Sequence, residues 1–157
     1  RGKNRSGLIA ACIYFSCKTC GYPRSSKEIA NMYDIKINTM TKGIKHFQEI
    51  LQISNQSHRI IEARSIRADD FIDRFCDSLQ LSELDIENIK NITNKVYEIN
   101  INTENTPPSI AAGSIYLYSK INNIQITKQQ IANISKISEV TINKCCKLIE
   151  DNIIIKH

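Results

Sequence analysis

When each position n is set against n+102, residues 6–50 lie on residues 108–152 without a gap, and eleven pairs are identical. They are Ala10/Ala112, Ile13/Ile115, Tyr14/Tyr116, Lys18/Lys120, Ile29/Ile131, Ala30/Ala132, Asn31/Asn133, Ile35/Ile137, Thr39/Thr141, Lys42/Lys144 and Lys45/Lys147. Conservative pairs such as Leu8/Ile110 and Ser25/Thr127 fill the gaps between them. A duplication of this length implies two like units in tandem, because each copy carries the same apolar positions into the same local structure. Solenoids repeat at shorter periods.

Each copy reads as helices. LIAACIYFSC and its twin IAAGSIYLYS are apolar on nearly every side. Their Ala, Gly, Ser and Cys fill a pleated sheet poorly but let helices approach closely, so the spacing predicts a central helix surrounded by others. The next helix opens with Ser25 and Glu28 in one copy, and with Thr127 and Gln130 in the other. Both are capping boxes, in which the hydroxyl and the later side chain satisfy each other's orphan amides. A third helix is expected over about 38–51 and, in the second copy, about 139–151. Two more precede the second copy. One, about 68–79, buries Phe71, Ile72, Phe75 and Leu79; the other starts at Ser82, with Asp85 behind it, and buries Leu84, Ile89, Ile92 and Val96. Pro108 suits the first turn of the central helix. The second unit then has five helices over 66–157. The first has only the last three, over 1–51, with a linker at 52–65. A whole first copy would need some fifty residues upstream, so the chain is expected to be a fragment or to have a degenerate first unit, with the face of helix 8–17 partly uncovered.

Composition narrows the function. Hydrophobic residues make up 41% and charged ones 24%, which is globular. No apolar run is long enough for a membrane span. The six cysteines sit mostly within apolar helical pattern (Cys12, Cys17, Cys76, Cys145, Cys146), which points to free thiols and an intracellular protein. The net charge of +5 is uneven. Residues 1–61 carry ten Lys/Arg against three Asp/Glu, residues 62–104 five against ten, and residues 105–157 six against three. Basic ends allow polyanion binding, although solvated faces look the same.

Catalytic and metal-binding patterns are thin. Cys17 and Cys20 have metal or redox spacing, but no second pair follows, and core packing is the better reading of Cys17. Cys145 and Cys146 are neighbours that point about 100° apart on a helix, which suits neither a disulfide nor one metal. His46, His58 and His157 have no partner at i+3 or i+4. Without a phosphate loop or a catalytic triad pattern, enzymatic activity has nothing to rest on.

The stretch TKQQIANISKISEVTINKCCK offers more. A capped helix from Thr127, a turn near Lys136–Ser138 and a helix from Glu139 have helix-turn-helix proportions over 127–149. The second helix of such a motif enters the major groove. Val140, Thr141, Asn143, Lys144 and Lys147 are its exposed candidates. Val140 suits a thymine methyl, and Asn143 suits adenine. Lys144, Lys147, Lys128 and the free amides beginning at Thr127 suit phosphates. In the first unit the turn Gly21-Tyr22-Pro23-Arg24 presents Arg24, with Lys27 following; an Arg on a rigid loop can enter a narrow minor groove. Two helices joined by a short turn also occur in any helical domain.

Taken together, AACIYFSCKTCGYPRSSKEIA, DDFIDRFCDSLQL, PPSIAAGSIYLYS, ITKQQIANIS and EVTINKCCKL resemble, in family order, the core domain of transcription factor IIB and its archaeal relatives. The resemblance implies an all-α fold of two cyclin-like repeats that clamp promoter DNA bound by the TATA-binding protein and help recruit an RNA polymerase, in the nucleus or at a site of viral transcription. It places Val140 and Thr141 on the recognition helix that reads an element upstream of the TATA box. Asn143 stands where many relatives have Arg, which implies adenine preference or backbone contact there. The downstream contact maps onto Arg24 with Gly21 nearby. The family's zinc ribbon lies upstream of its repeats and nothing here matches it, so no cofactor is expected in this span. A cyclin-like kinase regulator and the RNA polymerase III relative of the family are the alternatives.

Overall fold

The computed structural model describes residues 2–53, 65–99 and 105–154, leaving out the side chains of residues 2–4 and 154. Most of the expected linker, the loop at 100–104, His58 and His157 lie outside the described residues. The chain forms two compact units, Arg1–Ile66 and Arg67–His157. Every described element is helical or a turn. The first unit has α1 (Gly2–Thr19), α2 (Ser26–Met32) and α3 (Ile37–Ile53). The second has α4 (Asp69–Ser78), α5 (Glu83–Glu98), α6 (Pro107–Ile121), α7 (Lys128–Ser135) and α8 (Glu139–Ile154).

Helix starts follow the side chains expected of them. Ser25, Ser82 and Thr127 each accept the amide of the residue three on, while Glu28, Asp85 and Gln130 accept the cap's own amide in return. Pro107 and Pro108 occupy the first turn of α6, where the missing amide costs nothing. Helix ends are duplicated as well. Gly21 (φ 80°) and Asn123 (φ 54°) turn the chain left-handed after α1 and α6, and Asp34 (φ 48°) and Lys136 (φ 59°) do so after α2 and α7. At Gly21 the amides of Gly21 and Tyr22 reach back to the carbonyls of Lys18 and Cys17, closing the helix end.

The two cores use the same positions. In the first unit Ala10, Ile29, Ala30 and Met40 pack together, with Tyr14, Ile35 and Ile44 against them. In the second, Ala112, Ile131, Ile142, Ile137 and Cys146 are buried at the matching places. The helix pairs α1–α3 and α6–α8 lie close enough to exclude side chains. A Cβ on Gly43 would overlap the Gly7 carbonyl, and one on Gly7 would lie 2.6 Å from the Thr39 carbonyl oxygen. In the second unit the small residue lies on the other partner: a Cβ on Gly113 would lie 2.8 Å from the Cβ of Cys145.

Three expectations need correction. Leu84 is 68% exposed. It lies five residues before buried Ile89, about 140° round the helix, so it cannot share the stripe of Ile89, Thr93 and Val96. Cys12 is exposed and Cys17 only half-buried. Both lie on α1, which α2 and α3 cover, whereas α6 is packed by α4, α5, α7 and α8. Among the described residues α1 shows the open face expected of it. Ile9 is 45% and Ile13 36% exposed, while their twins Ala111 and Ile115 are fully buried.

Polar contacts at Tyr118 tie α5 to α6, and the Asn88 amide donates to its hydroxyl at 3.4 Å. The Tyr118 hydroxyl donates to the Asp85 carboxylate at 2.8 Å, and Asp85 also accepts from the Ser82 amide and hydroxyl. The Ser82 and Tyr118 hydroxyls hold the Asp85 carboxyl below its usual range, and the same carboxylate raises Tyr118.

Two predictions follow from these contacts. Gly43→Ala must push α1 from α3 and should destabilise the first unit by about 3 kcal/mol, since backbone cannot yield as a side chain does. Hydrogen exchange on the intact chain should then show lost protection in α1 and α3 with α6 and α8 unchanged. Tyr118→Phe should cost about 1–2 kcal/mol at neutral pH, where Asp85 is ionised. Because the folded-state value of Asp85 is lowered, its contribution is complete above about pH 4 and fades as pH falls through that lowered value. Melting curves should therefore separate wild type from variant at pH 7 and draw closer as the pH is lowered below about 4; a gap that does not narrow on acidification would contradict the link.

Candidate nucleic-acid interface

The residues singled out from the sequence lie on α7 and α8 of the second unit and around the turn between α1 and α2 of the first. In the second unit, α7 and α8 are joined by a turn built from buried groups. Ser135 donates its hydroxyl to the Ile131 carbonyl at 2.7 Å and accepts the Ile137 amide at 3.2 Å. Ile137 tucks under the turn, and Lys136 takes the left-handed step between the helices. Ser138 then caps α8: its Oγ accepts the Thr141 amide at 3.2 Å and meets the Thr141 hydroxyl at 2.8 Å. The sequence reading missed this cap, although a Ser three residues before Thr141 was there to be read.

Ile142, Cys145, Cys146 and Ile149 hold α8 against the core. Their burial fixes what faces outward. Val140 is 65% exposed, and Lys144 and Lys147 are exposed on the same strip, within about 60° of it. Asn143 flanks the strip and is half-buried; it is not fully exposed as expected. Thr141 lies on the other side, half-buried, with its hydroxyl engaged by Ser138. Lys128 is half-buried too, its Nζ 5.7 Å from the centre of the Tyr116 ring. Thr127 is exposed, but its hydroxyl serves the capping box of α7. Segment 127–149 holds four lysines and a single acidic residue, Glu139.

In the first unit, Gly21 needs its positive φ, and a Cβ there would touch nothing. Buried Pro23 anchors the loop, while Tyr22 stands out at 78% exposed. Tyr22 is a second residue that the sequence reading left without a role. Arg24 pairs with Glu28 at 3.9 Å, a long and partly exposed contact that leaves the guanidinium weakly held. Lys27 is exposed on the first turn of α2.

Other candidates recede. Among the described residues no group of three or more His, Cys, Asp or Glu is placed to hold a metal ion. His46 does have a neighbour, Glu49, at 3.5 Å, but both are exposed and form a surface pair. Burial pushes the thiols of Cys76 up to about 12 and Cys145 up to about 11, so both stay protonated and serve as packing groups. None of the described helices is long and apolar enough to cross a membrane.

Comparison with known proteins places both units in one family. The transcription factor TFIIB repeat matches residues 1–53 and 61–152, one stretch for each unit. A transcription initiation factor IIB-like protein of Acanthamoeba polyphaga mimivirus is 34% identical over 95% of this chain and 32% of its own length. Transcription initiation factor IIB of Dictyostelium discoideum is 27% identical over 94% of this chain and 43% of its own. Transcription initiation factor IIB 1 of Thermococcus kodakarensis is 23% identical over 96% and 48%. The chain thus spans a third to a half of the length of these relatives. With two helical units in tandem and both matched by the same repeat, the chain belongs to the transcription factor TFIIB family.

Proposed function

We propose that this chain is the DNA- and protein-binding core of a general transcription initiation factor. It binds promoter DNA together with the TATA-binding protein and helps to bring an RNA polymerase to the start site, in the nucleus or at a site of viral transcription. The observation that carries the reading is the outer strip of α8. Val140, Lys144 and Lys147 stand clear of the protein there, on a helix whose opposite face is locked into the core. A rigid helix with an apolar tip and a basic flank is what the major groove accepts.

The roles divide by chemistry. Lys144, Lys147 and Lys128 neutralise phosphates and set the register. Val140 meets a thymine methyl, and Asn143, with both a donor and an acceptor, pairs with adenine. Thr141 steadies the start of the helix through Ser138 and contributes to the recognition surface from its flank. In the first unit Gly21 shapes the loop, Arg24 reaches a narrow minor groove, and Lys27 supports it on the backbone. The TATA-binding protein and the polymerase enter through the family; the relatives' shared name is initiation factor IIB.

A gel-shift on a TATA-containing duplex tests the reading. The chain should supershift the complex of that duplex with the TATA-binding protein and bind the duplex weakly alone. If no complex forms even at low salt, where phosphate contacts are strongest, the DNA reading fails and a cyclin-like regulator of a kinase takes its place. Asn143→Ala should relax preference at one base pair by about 1–3 kcal/mol in competition binding against a panel of single-base variants. A uniform loss across the panel would instead reduce Asn143 to a backbone contact.

A further inference from the structure

Lys136 occupies the turn between α7 and α8 in a left-handed conformation, φ 59° and ψ 25°. There Cβ crowds the following carbonyl, so Gly, Asn or Asp is the residue least strained. Three of the described left-handed positions follow that rule: Gly21, Asp34 and Asn123. Gln80, the other exception, shows that a long side chain is tolerated in such a turn. What sets Lys136 apart is its place and its charge. It lies two residues before Ser138, the cap of the outward-facing helix. Its equivalent in the first unit, Asp34, has the opposite charge at the same backbone step. Its side chain is exposed, and no hydrogen bond or ion pair engages it among the described residues. The backbone needs nothing from a lysine here: the turn is closed by the Lys136 amide on the Ala132 carbonyl and by the Ile137 amide on Ser135.

We propose that Lys136 is a further DNA-contacting residue, which grips a phosphate at the edge of the groove that α8 enters. The inference rests on the DNA-binding reading above. In a helix-turn-helix the first helix crosses the backbone and the second reads the bases, so the turn between them passes the groove wall. Lys128 at the start of α7 and Lys136 at its end would then hold the backbone at two points. The base-reading residues of α8 would gain a fixed depth from this.

The test uses the intact chain, the TATA-binding protein and a TATA-containing duplex, with affinity measured from 50 to 200 mM salt. Lys136→Gly should weaken the complex about 5- to 10-fold near 0.1 M salt and flatten the slope of log K against log salt by about 0.9, the signature of one lost phosphate. Its Tm should be unchanged or a few degrees higher, because the strain is relieved. Lys136→Arg should bind like wild type with an undiminished slope. A Lys136→Gly variant with wild-type affinity and slope would overturn the inference while leaving the DNA reading intact. So would one that binds weakly with a lowered Tm and an unchanged slope. If wild type forms no complex at all, the DNA reading itself falls and this inference falls with it.

Discussion

The close approach of two helices in each unit governs the rest of the structure. Gly7 faces Gly43 between α1 and α3, and Gly113 faces Cys145 between α6 and α8. At these points backbone meets backbone or Cβ, so neither pair can slide or rotate freely. Everything on α8 that faces outward is therefore set by what is locked inward. Cys145 seats against Gly113, Ile142 and Ile149 fill the space on either side, and Val140, Lys144 and Lys147 are left outside as a consequence. A reading surface on such a helix needs no further support, because its orientation comes from packing that is complete before any ligand arrives.

Duplication also shows how two similar sequences reach different ends. The shared positions are those of the core and the caps: Ala10 and Ala112, Ile29 and Ile131, the capping boxes, and the left-handed steps. Differences fall both inside and outside: Met40 and Gly43 stand for buried Ile142 and Cys145, while exposed Lys42 and Lys45 match Lys144 and Lys147. Asn38 and Thr41 stand where Val140 and Asn143 stand in the second unit, and Asp34 stands for Lys136. The outer strip of α8 thus differs from its counterpart on α3 at Val140 and Asn143 and keeps both of its lysines.

Helix starts and much of the core were legible in the sequence because their causes are local. A hydroxyl three residues ahead of a Glu, Asp or Gln defines its own hydrogen bonds, and an apolar stripe at helical spacing names its own face. The misreadings have a common source, which is that burial depends on neighbours. Leu84 is apolar but lies on the wrong side of α5, and Cys12 matches buried Ser114 yet is exposed. The candidate interface was half legible. Periodicity exposed Val140, Lys144 and Lys147, but the partial burial of Asn143, the cap at Ser138 and the backbone sign of Lys136 needed coordinates.

The uneven cover of the two central helices has a chemical consequence. The second unit keeps Cys76, Cys145 and Cys146 sealed, with the first two held as thiols by burial, whereas Cys12 and Cys20 of the first unit meet solvent. Thiol chemistry depends on access as much as on ionisation. An oxidant or alkylating agent therefore meets the two units as different substrates, marking the first in its folded state and the second only after it opens. The cysteines record, residue by residue, which half of the chain has a closed interior.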